Sequence, residues 1–160
     1  MLKNPYILER CTEIEGLLQY ADTWSKKDEK LGAHLAAYIC VLFLGVLEDC
    51  IEHLIAARAS KSGDPEVRDF IIKATKDHFR NPDYGAISGL LGTFSKGYKE
   101  KFSAKIKANG SESIALNSIV ENKNSLAHEG TDKLNLSVKD MSDYYYRVIP
   151  IVEAIEKALS

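Results

Sequence analysis

The chain has 160 residues, 45% of them hydrophobic and 28% charged, which suits one globular domain with a real core. Twenty-one basic against twenty-three acidic side chains leave a net charge of −2. That balance argues against a protein that grips long nucleic acid mainly by bulk charge, while a local basic patch stays open. Cys11, Cys40 and Cys50 are odd in number and lack C-x-x-C spacing, which argues against a disulfide framework or a thiolate metal site and points to a reducing cytoplasm.

The opening MLKNPYILER lacks the apolar core of a signal peptide. After it, Tyr6, Ile7, Cys11, Ile14, Leu17, Leu18 and Ala21 recur at three- and four-residue steps and predict a first helix, with Pro5 in its first turn. SKKDEK, residues 25–30, reads as the connection. A second helix is expected from about Glu29–Leu31 to Ala59. Its stretch LAAYICVLFLGVL is apolar nearly all round but shorter than a bilayer span and is followed by EDCIEH, so it reads as a buried central helix or one lying across a subunit contact.

SKSGDPE, residues 60–66, breaks the pattern, with Asp64 as N-cap and Pro65 next. A third helix through Phe70, Ile71 and Ala74 should stop near NPDYG, residues 81–85. Between Tyr84 and Asn109, glycines and the lysine-rich KGYKEKFSAKIK predict short helices joined by turns. NGSES is a turn with an N-cap, and the helix after it should turn Ile114, Ala115, Ile119 and Val120 inward. EGTDKLN, residues 129–135, reads as a loop, and SVKD as a capping box with Asp where Glu or Gln is usual. A last helix should run to the C-terminus, bent or offset at Pro150. With only weak strand signals and no internal repeat, the expectation is an all-α bundle filling residues 1–160 as one domain.

The chemistry concentrates in ENKNSLAHEG, residues 121–130. On a helix, Asn124 and His128 are four apart and share a face, whereas Lys123 and His128 are roughly 140° apart around the axis. Gly130 is a natural stop, so His128 falls in the last turn, where the negative end of the helix dipole favours a cation. A lysine, an amide and an imidazole at one helix end can together hold a phosphate and move a proton. RNA cleavage needs both, because the 2′-OH loses a proton while the 5′-oxygen gains one. The plainer alternative is a capping or solvated His beside an ordinary surface lysine.

KNSLAH followed by Glu129 and Gly130 resembles the signature of the HEPN superfamily, commonly R-N-x-x-A-H and then Gly. Asn124, Ala127 and His128 match, and Lys123 stands where that pattern has Arg. The long apolar helix early in the chain and the motif near the end of a later helix fit the same all-α architecture. VLEDCIEHLI, residues 46–55, and the loop after AHEG look like the RiboL-PSP-type branch.

The resemblance implies a metal-independent endoribonuclease that needs no cofactor and leaves 2′,3′-cyclic phosphate ends. It implies a homodimer whose motif helices face each other, and such domains often act as toxins or antiviral effectors checked by a partner protein such as an antitoxin. On this reading His128 is the general acid/base, Asn124 orients the scissile phosphate or the imidazole, and Lys123 stabilises the phosphorane-like charge. Glu48 either reaches the site from the central helix or is only that helix's polar end. Lysine is a point charge where arginine offers a planar fork, and Glu129 adds an anion nearby. The alternative implied by both departures is a HEPN-like domain that binds RNA, nucleotide or a partner protein without cutting.

Elsewhere, Lys96, Lys99, Lys101, Lys105 and Lys107 interleave with Tyr98 and Phe102. They form either an RNA-tracking patch or a solvated face over a Phe102–Ile106 buried stripe. Tyr144, Tyr145 and Tyr146 cannot all point inward. His34, His53 and His78 lack metal-ligand spacing, and neither a membrane span nor a metal site is expected.

Overall fold

The computed structural model describes residues 2–129 and 136–160, excluding the side chain of Glu129. The loop expected from Glu129 to Asn135, and the anion expected at Glu129, therefore lie outside the described residues and side chains. Helix α1 spans Pro5–Ser25 and α2 spans Glu29–Ala59, which a 3-10 turn at Ser60–Ser62 follows. Then come α3 (Pro65–His78), α4 (Tyr84–Phe94), α5 (Lys96–Lys105), α6 (Ser111–Glu129) and α7 (Val138–Leu159). No strand occurs among the described residues, and the fold is an all-α bundle.

Side chains start most of these helices. Asn4, Asp28, Asp64, Asp83 and Ser95 each accept hydrogen bonds from first-turn N–H groups, which would otherwise be orphaned. At α7 the expected capping box forms in full: Asp140 N–H donates to Ser137 Oγ at 3.1 Å, and Ser137 N–H donates to Asp140 Oδ2 at 3.0 Å. The α1–α2 turn is tight enough that a Cβ on Gly32 would lie 2.6 Å from Ser25 Cβ, so only glycine fits there.

Helices α2 and α7 form the centre. From α2, Ile39, Cys40, Phe43, Leu44, Leu47, Ile51 and Ile55 are buried, packed among α1, α3, α6 and α7. Helix α2 with the 3-10 turn after it is also long and apolar enough, by length and composition, to cross a membrane. Half of its most apolar 18-residue window is buried inside this fold, as in the core helix of a bundle. From α7, Tyr145 is buried edge-on to Phe43 at a centroid distance of 5.3 Å, and its hydroxyl donates towards Cys11 O and Glu15 Oε1. Tyr146 faces solvent and Tyr144 is half-buried, so the three tyrosines divide as helical spacing requires. The helix continues through Pro150 to Leu159.

One inward residue differs from expectation. Ile114 is 57% exposed, and Leu116 takes the buried position with Ala115, Ile119 and Val120. The buried line of α6 begins at Ser113, whose hydroxyl donates to Lys107 O at 2.7 Å. That anchoring contact turns the neighbouring Ile114, about 100° away, outward.

Candidate functional site: the inner and outer faces of α6

The line Leu116, Ile119, Val120 on α6 is continued one turn on by Lys123, and this sets the geometry of the site. That face lies on α2, where the Cys40 thiol donates to Ile119 O at 3.5 Å. Burial pushes the Cys40 thiol up to about 11, against the pull of the Lys123 charge, so this cysteine is a packed thiol and not a nucleophile. The Lys123 stem follows the apolar stripe and its ammonium emerges at the edge of the core.

There the ammonium meets the α3–α4 connection. Lys123 Nζ donates to Asn81 Oδ1 at 2.7 Å, and the Asn81 N–H donates to Glu48 Oε1 at 2.9 Å. Glu48 and Lys123, from α2 and α6, are thus bridged by one residue. Asn81 has φ +50°, a left-handed conformation that Asn tolerates better than most residues, and it precedes Pro82. Tyr84 N–H reaches Asn117 Oδ1 at 3.4 Å, a second tie between the connection and α6. One turn along α2, Glu52 lies 3.7 Å from Arg80. Burial raises the Glu52 carboxyl above its ordinary range, opposed by the charges of Lys76 and Arg80.

The outer face is different. Asn124 and His128 are exposed, on the solvent side of the last two turns of α6 with Glu121 and Ser125. Neither side chain makes a hydrogen bond or ion pair among the described residues. The sequence-predicted residues therefore divide into a fixed inner pair, Lys123 with Glu48, and a free outer pair, Asn124 with His128. On a straight helix Lys123 and His128 are separated by about 7.5 Å along the axis. That spacing lets a phosphate-sized group lie over the helix edge between them, but no contact among the described residues joins them.

A family model described as RiboL-PSP-HEPN matches residues 6–160. The chain belongs to this HEPN family. No curated protein and no solved structure matches it.

Sequence reasoning about this HEPN domain missed Asn81, Arg80 and Glu52. NPDYG signals a helix stop, and its Asn is also a residue type that tolerates the left-handed backbone found at Asn81. A second polar cluster was missed as well. On the α1 side of α2 the Tyr6 hydroxyl donates to Asp49, Arg10 lies 3.8 Å from the same carboxylate, and the Tyr6 ring stacks on His53 at 4.4 Å.

The lysine-rich segment is now α5 and its C-terminal flank. Phe102 and Ile106 are buried, so they form the internal stripe and offer no ring to a base. Tyr98 is half-buried, and its hydroxyl accepts from Arg58 Nε at 2.7 Å. The five lysines are exposed.

Proposed function

We propose that this domain is a metal-independent endoribonuclease that cleaves RNA to 2′,3′-cyclic phosphate ends, with His128 as general acid/base. The observation that carries the reading is the exposed, unengaged Asn124–His128 pair in the last turns of α6, beside a lysine whose position is fixed, in a chain of the HEPN family. In the reaction the 2′-oxygen loses its proton and attacks phosphorus, a pentacoordinate phosphorane-like species forms, and the P–O5′ bond breaks as the 5′-oxygen is protonated. Lys123 supplies charge to the non-bridging oxygens, and Asn124 orients the phosphate or the imidazole. The role of Glu48 is to hold Asn81, and through it the lysine.

One imidazole cannot be base and acid at once on the two sides of an in-line displacement. Two copies with their motif helices face to face supply two, which is why the reading includes a homodimer. A cytoplasmic toxin or antiviral effector restrained by an antitoxin-like partner is the corresponding biological setting.

A second reading is favoured by one contact: the Lys123 ammonium is already engaged with Asn81. A domain whose cation is committed to structure would bind RNA, nucleotide or a partner without cutting. Cleavage of a fluorescent single-stranded RNA in EDTA, wild type against His128→Ala, separates the two. Cyclic-phosphate products that vanish in the variant uphold catalysis. A wild type that binds RNA but never cuts it upholds the second reading, and cutting that survives in His128→Ala places the chemistry elsewhere.

A further inference from the structure

Between α3 and α4 lies an apolar groove of about 560 Å³, outside the residues given a catalytic role above. Its walls include Phe70, Phe79, Leu90 and Phe94, and its polar end carries His78 and Arg80. Phe79 is buried and Phe94 half-buried, whereas Phe70 is 73% exposed. An aromatic ring left that open at the mouth of an apolar groove marks a contact surface better than a core position.

The groove's lining is joined through the chain to the Lys123 site. Arg80 lines the groove, and the next residue in the chain is Asn81, which accepts from the Lys123 ammonium. Arg80 itself is 61% exposed at its side chain; its Nη1 donates to Phe79 O at 3.0 Å and lies 3.7 Å from Glu52, which leaves the rest of the guanidinium open. An aromatic hollow lined at its edge by His78 therefore adjoins two cations, Arg80 and Lys123. An unstacked nucleotide has the complementary pairing, a flat apolar base joined to an anionic phosphate.

We propose that the α3–α4 groove seats an unstacked nucleobase of single-stranded RNA, next to the phosphate held at the Lys123 end of the same track. This rests on the RNA-directed reading above and adds to it the subsite that positions the strand. The hydroxyls in the groove are spent on their own helices: Thr75 donates to Ile71 O at 2.9 Å and Thr93 to Gly89 O at 3.1 Å. Recognition there is by stacking and shape, with little reading of base edges, so several bases should be accepted. A base held in a helical duplex cannot enter, and single-stranded RNA is the substrate.

The test uses a 2′-O-methyl RNA oligonucleotide carrying 4-thiouridine, which cannot be cut at its methylated positions, irradiated with the full-length protein. Crosslinked peptides are then mapped by mass spectrometry. Crosslinks should fall on the α3 and α4 peptides that carry Phe70, Phe79 and Phe94. Phe70→Ala, at an exposed position, should raise the RNA Kd about tenfold, the loss expected of one base-stacking ring. Thr93→Phe, which fills the groove from an exposed position, should do the same. If the wild type cuts RNA, both variants should raise KM and change kcat little.

Crosslinks confined to α5, with Kd unchanged in both variants, would overturn the groove while leaving the nuclease reading intact. Groove crosslinks without any cleavage would uphold the groove and defeat catalysis. No RNA binding at all would defeat both. Loss of self-association in Phe70→Ala, with unaltered RNA affinity, would show that a second copy of this chain covers the groove, and would overturn the proposal.

Discussion

The Lys123 ammonium donates to Asn81 Oδ1 at 2.7 Å, tying the motif helix to the connection between α3 and α4. Asn81 holds this contact from a left-handed backbone, φ +50°, while its N–H is held by Glu48. Asn81→Ala loses the charged hydrogen bond and keeps an unfavourable φ, whereas Asn81→Gly loses the bond but relieves the backbone. Expected costs are about 2–3 kcal/mol for the alanine and about 1 kcal/mol for the glycine. Urea denaturation of both proteins checks this. Equal losses would mean that the backbone at residue 81 carries no strain.

Stability and activity should separate along α6. Lys123→Met keeps the apolar stem but removes the charge, so it should lower stability by about 1 kcal/mol and also lower RNA cleavage. His128→Ala removes an exposed side chain with no partner among the described residues, so its unfolding midpoint should stay within about 0.5 kcal/mol of wild type. Its cleavage rate should fall by about 10²- to 10⁴-fold, the range for a general acid/base. A large stability loss in His128→Ala would give the imidazole a structural role and undo the division into inner and outer faces.

The helices were legible because their signals are local. Pro5, Asp64 before Pro65, and the Ser137–Asp140 box each act within one turn of chain, and the apolar stripes repeat at helical spacing. The motif on α6 was legible as a pattern, and the family match over residues 6–160 agrees with the resemblance read from it. The surroundings of Lys123 were not legible. Asn81 lies 42 positions away from it, and Glu48 a further 33 from Asn81. No periodicity links positions on three different elements. Ile114 misled for a similar reason, because the Ser113 contact that rotates the start of α6 reaches back to Lys107, beyond the helix itself.

Glu52 should give an unusual pH response. Burial raises its folded-state pKa above the unfolded value, so its contribution to stability is greatest below the ordinary carboxylate range and declines as pH rises through the folded pKa. Glu52→Gln removes the buried charge and should be more stable than wild type at about pH 7, an advantage that disappears at about pH 3. Denaturant midpoints of the two proteins at both pH values check the sign. A Glu52→Gln protein less stable than wild type at neutral pH would mean that the Arg80 pair outweighs the cost of burial.

The α7 cap should respond in the opposite sense. The Ser137 hydroxyl, and then the Ser137 backbone N–H, hold the Asp140 carboxyl below its ordinary range. A depressed folded-state pKa stabilises the protein above the unfolded value, and the benefit is lost as pH falls through the folded pKa. Ser137→Ala should therefore cost about 1 kcal/mol at about pH 7, the usual value of a lost N-cap, and progressively less as pH falls through the folded-state pKa of Asp140 and the carboxylate is protonated. Asp140→Asn should likewise flatten the acid limb. Because α7 packs on α1, α2, α5 and α6, the loss should appear in the global unfolding transition. If only the far-ultraviolet signal shifted, with the core fluorescence transition unmoved, the start of α7 would be fraying by itself. The cap would then be local in effect as well as in sequence.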